Sequence, residues 1–178
     1  GISSSGFATA QNEPTIPQIP LLRYNEKMVF DKVDDRLSTS NITTSATSTY
    51  SLWVNLNSVS GTQDLFTHAN IYFRAIDNEL YVYSDFSNHT RYDNILTVGD
   101  LTHLVWVANG GTHTLYKNGV ALTPNATTSS AIVVATNVIN ISSSGNTLSG
   151  IIDELSYFNT ALSATEVQEL FNDGIALD

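Results

Sequence analysis

The 178-residue chain contains no cysteine, and that single absence removes both a disulfide-stapled fold and a thiolate metal centre. Positive charge is scarce too: 7 Lys and Arg stand against 17 Asp and Glu, for a formal net charge of -10, and no basic cluster interrupts the acidity. Such a chain repels phosphate backbones, so nucleic acid is excluded as a partner class. No run of about 18 apolar residues is present, which excludes a membrane-spanning helix, and no basic start followed by an apolar stretch marks a signal peptide. Repeats of fixed period are missing, which argues against propellers and solenoids.

Proline is rare, with 4 residues in all, yet Pro14, Pro17 and Pro20 crowd into EPTIPQIP. They forbid helix and favour extended chain, so residues 1–27 read as a Pro/Ser-rich leader or linker arm and residues 28–178 as the folded domain. The rest is polar loops between short apolar runs. Expected strands are Met28-Val29-Phe30, Tyr50 to Leu56, Leu65 to His68, Ile71 to Ile76, Glu79 to Phe86, Leu101 to Ala108, Thr112 to Lys117, Val120 to Leu122, Ile132 to Ala135 and Val138 to Ile141. Asn118-Gly119 between two of these suits a type I′ hairpin turn, whose two central residues need positive φ. About a dozen short strands punctuated by turns predict an all-β fold, a two-sheet antiparallel sandwich or jelly roll.

Only near the end does the period change. Ile151 to Tyr157 reads as a last strand, and Ser163 followed by Glu166 forms the S-x-x-E capping box of a helix over 164–173. Leu162 and Val167 fit the hydrophobic staple, and Gly174 is placed to stop the helix in the left-handed conformation. A single short helix on a β body is expected to plug an open end or cover a sheet edge.

The segments MVFDKVDD at 28–35, YSLWV at 50–54, THLVWV at 102–107, LYKNG at 115–119 and GIIDELSYFNTALS at 150–163 follow one another in a familiar order. Together they resemble the laminin-G-like group of the concanavalin A-like lectin/glucanase superfamily, over about residues 28–173. The resemblance implies a concanavalin A-like jelly roll of two curved sheets, used for glycan or protein recognition outside the cell. It also implies a structural Ca²⁺ joining the early acidic turn to the last strand, with Asp31, Asp34 and Asp153 at the matching positions. Hard oxygen donors suit that ion; the competing reading is a turn at Asp31, Asp34 and Asp35 bonded to its own backbone, with Asp153 paired to Arg36.

Glucanases of the superfamily carry an acidic triplet at alternate positions of one strand. None exists here, Glu79, Asp85 and Asp93 read as scattered turn residues, and no G-x-S-x-G elbow marks a nucleophile, so no catalytic residue is assigned and an enzyme is not expected. The four histidines, His68, His89, His103 and His113, lack metal-ligand spacing and read as sheet-surface or loop residues. Sequons at Asn41, Asn88, Asn125 and Asn140 read as accidents of an Asn/Ser/Thr-rich composition.

Sugar recognition needs flat apolar faces with planar polar groups beside them. If Ile71, Phe73 and Ala75 face the core, the strand period puts Tyr72 and Arg74 outside; Leu80 and Val82 inside put Tyr81, Tyr83 and Asp85 outside. A following loop then adds His89, Arg91 and Tyr92. These eight residues form the candidate ligand site, against the alternative that the tyrosines are simply cross-strand packing pairs. The functional expectation is a non-catalytic module recognising a cell-surface or environmental glycan, on an extracellular, cell-surface or virion protein. The alternative is a structural decoration or attachment domain of a capsid, fibre or adhesin, acting through protein contacts.

Overall fold

A computed structural model of the protein describes residues 27–172. Two antiparallel sheets face each other. The first has six strands in the order β1 (Met28–Asp31), β13 (Ser149–Phe158), β3 (Thr47–Leu56), β8 (Thr102–Asn109), β9 (Thr112–Lys117) and β10 (Val120–Ala121). The second has seven, ordered β11 (Ala126–Thr127), β7 (His89–Asp93), β6 (Glu79–Tyr83), β5 (Ile71–Ile76), β4 (Thr62–His68), β12 (Thr136–Ile141) and β2 (Leu37–Thr43). Among the described residues one helix, α1 (Ala164–Phe171), follows. The all-β jelly-roll sandwich with a short C-terminal helix is therefore present as expected, and no helix among the described residues is long and apolar enough to cross a membrane.

Alternation builds the core. β5 and β6 bury every second residue, so Ile71, Phe73, Ala75, Leu80 and Val82 point inward against Tyr50, Leu52, Leu104 and Trp106 from the other sheet. Tyr50, Phe66 and Trp106 form a mutually stacked cluster, with centroids 4.8, 5.4 and 6.3 Å apart for the Tyr50–Phe66, Tyr50–Trp106 and Phe66–Trp106 pairs. In β4 a bulge at Leu65 lets both Leu65 and Phe66 enter the core, because the register passes from Asp64↔Arg74 to Phe66↔Phe73 with one residue left over. The Asn118-Gly119 turn has φ of 49° and 76°, the two positive values a type I′ turn needs.

Several local expectations change. Residues 132–135 form no strand; Ile132 reaches the core from a loop, and Thr44 Oγ1 donates to the carbonyls of Val133 and Ala135. The last strand carries a bulge between Asp153 and Ser156, with Glu154 at φ 50°. The capping box forms: Glu166 N–H donates to Ser163 Oγ, and Ser163 N–H to Glu166 Oε2 at 2.7 Å. The stop, however, is Asn172, left-handed at φ 44°, while Gly174 and residues 1–26 of the leader lie outside the described residues.

The helix reaches the edge of the six-stranded sheet at β10, one of the two placements expected, with Gln168 against Gly119 of the adjoining turn. It lies on the outer face of the six-stranded sheet, where Val167, Leu162 and Ala161 pack with Val105, Val107 and Tyr116. Phe171 adds ring contacts to Trp53 and His103, both at 6.0 Å. The reason is visible in β8: Val105 and Val107 face outward between inward Leu104, Trp106 and Ala108, and apolar residues on both faces require a cover on both.

Candidate functional site

The outer face of the seven-stranded sheet carries no such cover among the described residues. Its register sets Tyr72 opposite Tyr83, Arg74 opposite Tyr81, Tyr83 opposite His89 and Tyr81 opposite Arg91. All six side chains alternate with buried neighbours and are half-buried, as the period of two requires. The rings touch. Tyr81 and Tyr83 stack with centroids 5.8 Å apart, Tyr83 meets Tyr72 edge-on at 6.0 Å, and His89 lies 5.2 and 5.0 Å from Tyr81 and Tyr83. Phe86, in the turn beyond β6 and 67% exposed, continues the surface 5.9 Å from Tyr72.

Polar groups are fixed among these rings. Arg74 sits 4.8 Å from the Tyr72 ring centre and 5.8 Å from that of Tyr83, attracted by the ring faces. Its Nε donates to Asp64 Oδ1 at 2.5 Å and its Nη2 to Oδ2 at 3.2 Å. Burial alone would lower the Arg74 pKa, yet the Asp64 carboxylate raises it, so the guanidinium stays charged. Asp64 is itself buried and accepts from Ser143 Oγ, which ties the 143–146 bridge to the face. Tyr81 OH donates to Glu79 Oε2 at 2.7 Å; burial and that bond raise the Tyr81 pKa, so it remains a phenol. Arg91 pairs with Asp93 at 2.9 Å. His89 Nδ1 has no hydrogen-bond partner among the described residues.

Two of the eight expected ligand residues do not belong to this surface as read. Tyr92 is in the core: residues 89–93 form strand β7 rather than a loop, and its alternation turns Thr90 and Tyr92 inward. The Tyr92 hydroxyl accepts from Leu115 N–H at 3.1 Å and donates to His113 O at 3.4 Å. Asp85 organises its own turn instead of facing a ligand. Its oxygens accept from Asn88 Nδ2 and the N–H groups of Asn88 and Ser87, each at 2.8 Å, and from Ser130 Oγ. Those bonds hold its pKa far below the usual carboxylate range.

Glu79 and Asp93 were not among the candidates, yet they are register partners on the same face. Opposed like charges weaken a sheet unless neutralised, and here Tyr81 and Arg91 engage one each. The alternation Thr90–Tyr92 within His-Thr-Arg-Tyr-Asp is the signal that reveals the strand carrying Asp93.

Three histidines read as surface residues are internal. His68 is fully buried, its Nδ1 2.9 Å from Tyr50 OH and its Nε2 2.9 Å from Ile42 O. His113 accepts from Trp106 Nε1 at 3.0 Å through Nδ1, and its Nε2 lies 2.9 Å from Ser130 O. His103 lies under α1 with Nε2 2.8 Å from Ser51 Oγ, and burial drives its pKa down to about 4.

The acidic turn is separate. Asp31, Asp34 and Asp35 bring one oxygen each within 4.8 Å of the others, all exposed. Asp31 Oδ1 accepts from Val33 N–H at 2.8 Å, and Asp35 Oδ2 from Asp31 N–H at 3.0 Å. Asp153 does not join them: Asp31 pairs with Ser149, and Asp153 pairs with Trp53 further along β13. Four residues of strand put the two carboxylates roughly 13 Å apart along the sheet. The donor set is all oxygen, which fits a hard cation, but it is Asp31, Asp34 and Asp35 rather than Asp31, Asp34 and Asp153.

Comparison with known proteins follows the same lines. Domain 4 of AbnA, a GH43 extracellular arabinanase from Geobacillus stearothermophilus, solved in complex with arabinotriose, superposes with a TM-score of 0.63 at 19% identity, covering 81% of this chain and 75% of that one. A heptameric SAP-like pentraxin from Limulus polyphemus gives 0.59 at 16% identity, covering 80% of this chain and 79% of that one. The receptor binding domain of botulinum neurotoxin mosaic serotype C/D gives 0.56 at 12% identity over 83% of this chain and 44% of that one. At these identities the likeness is one of fold. A comparison with curated protein sequences finds no significant match. The Laminin_G_3 family model matches residues 31–168, and the chain belongs to the Concanavalin A-like lectin/glucanases superfamily.

Proposed function

We propose that this domain is a non-catalytic glycan-recognition module of an extracellular, cell-surface or virion protein. The observation that carries the reading is the contiguous surface of Tyr72, Tyr81, Tyr83 and His89 rings, with Arg74 and Arg91 fixed beside it, on the one sheet face that α1 leaves open. Rings of this kind stack on the C–H faces of sugars, while Glu79 and Arg91 offer hydroxyl partners. A structural relative that carries arabinotriose on the same fold supports the ligand class. Catalysis is not part of the proposal, because Glu79 and Asp93, the paired carboxylates, are each engaged by a neighbour on an open sheet face. A glycan array with wild type and Tyr81→Ala/Tyr83→Ala tests the reading: binding that the double substitution removes is expected, and silence across the array refutes it in favour of an attachment domain acting through protein contacts.

The same proposal includes a structural Ca²⁺ on Asp31, Asp34 and Asp35, supported by the convergence of their oxygens. A melting temperature that is equal in excess calcium and in EDTA refutes it.

A further inference from the structure

Resting on the reading of the tyrosine face as a glycan site, we infer that its ligand is a neutral saccharide, and that sialylated, uronic-acid or sulfated glycans are disfavoured there. The charged residues of the seven-stranded sheet are Asp64, Arg74, Glu79, Arg91 and Asp93, with Asp85 in the turn after β6. Neither guanidinium is unmatched. Arg74 is held by both oxygens of buried Asp64, and Arg91 by Asp93. Recognition of a carboxylate or sulfate by arginine relies on a free planar fork of donors, and both forks here already face a carboxylate.

The remaining charges add to the discrimination. Arg74 and Arg91 flank Tyr81 across the sheet, but each is matched by a carboxylate, so the charge left without a cationic partner beside the Tyr81 ring is Glu79, whose Oε2 accepts from the Tyr81 hydroxyl. No lysine lies on these strands to offset it, and the chain as a whole carries -10. An acidic sugar must also compete with Asp64 or Asp93 for its guanidinium, whereas a neutral hydroxyl takes the spare lone pairs of Glu79 without displacing anything. With one unmatched like charge about 5 Å away in a largely aqueous setting, the acidic form of a given glycan binds roughly fourfold more weakly than its neutral counterpart.

The experiment uses matched pairs of oligosaccharides that differ only in a terminal sialic acid or a sulfate, titrated against the intact chain at physiological salt, with Tyr81→Ala/Tyr83→Ala and Glu79→Gln alongside. Neutral members are expected to bind and lose affinity in the tyrosine variant; their acidic partners are expected about fourfold weaker, with the gap narrowing in Glu79→Gln. A preference for the acidic member that the tyrosine variant abolishes overturns the inference and leaves the glycan site standing. Binding of either class that survives Tyr81→Ala/Tyr83→Ala overturns it as well, since the ligand is then held elsewhere, and silence from both classes overturns the glycan reading itself. Cooperative melting of the variants above the assay temperature establishes that lost binding is not lost folding.

Discussion

Acidification from about pH 7.5 to about pH 4.5 is expected to loosen α1 from its sheet, because His103 is trapped beneath it. The imidazole lies between Trp53, 4.9 Å away, and Phe171, 6.0 Å away, with only Ser51 Oγ as a hydrogen-bond partner and Nδ1 unpartnered. Desolvation lowers its pKa from 6.5 to about 4. The neutral ring is thus favoured by folding, so the stability it confers is complete above the unfolded value and drains away as pH falls towards the folded one. At about pH 4.5 the unfolded chain is almost fully protonated at this site and the native protein mostly is not, which costs about 2.5 kcal/mol. Burial lowers the His68 and His113 pKa values in the same sense. Asp85 and Glu166, with depressed carboxyl pKa values, act only at lower pH, and Glu154, whose pKa burial raises, acts in the opposite direction. Urea midpoints followed by tryptophan fluorescence at intervals across this range give the slope. His103→Phe keeps the ring stack without the titration, and its stability is expected to fall less steeply with acid. Identical slopes for wild type and His103→Phe would show that this histidine is not the acid-sensitive group.

Tyr92→Ala is expected to cost about 3 to 5 kcal/mol in urea unfolding, since it empties a core position and orphans Leu115 N–H, whereas Tyr83→Ala on the open face, which loses only surface ring contacts, costs about 1 kcal/mol. Gly150→Ala is expected to lose about 3 kcal/mol or fail to fold, because a Cβ there stands 2.2 Å from Asn55 O at φ 149°; a soluble variant with wild-type melting temperature contradicts that geometry. Ser163→Ala removes the helix cap and should lower stability by about 1 kcal/mol, read as a melting shift of a few degrees. Asp153→Ala is expected to leave any calcium-dependent melting shift intact while Asp31→Asn/Asp34→Asn abolishes it, as judged by calorimetry with calcium and with EDTA.

What was legible in the sequence was the part written in periods. Ile71 to Ile76 and Thr112 to Lys117 alternate cleanly and came out with those bounds, and Asn-Gly and the S-x-x-E box each name a specific backbone geometry that the structure adopts. What failed was long-range register and environment. Nothing local says that Asp31 pairs with Ser149 rather than with a residue nearer Asp153, because register depends on the whole sheet. Polar residues misled for a related reason: His68, His103 and His113 look hydrophilic in isolation, yet each finds a hydroxyl, an indole or a carbonyl across strands far apart in sequence. His89 to Asp93, rich in polar types, hid a strand whose alternate residues are a core tyrosine and a surface arginine.

The position of the site follows from how the two outer faces differ. On the six-stranded sheet, Trp53, Val105, Val107 and Tyr116 are apolar outward, and the chain supplies its own cover in Leu162, Val167 and Phe171, anchored by Thr49 Oγ1 bonded to Thr160 O and Leu162 N–H. On the seven-stranded sheet the outward residues are amphipathic: tyrosines and a histidine with polar edges, and arginines that already hold carboxylates. Such a face is stable against water without a cover, yet its rings still gain by contact with a flat, hydroxylated partner. A ligand that were strongly apolar or strongly charged would be better served by the other face or by unpaired arginines; the one is covered by α1 and the arginines are paired, and the proposal of a neutral sugar rests on that contrast.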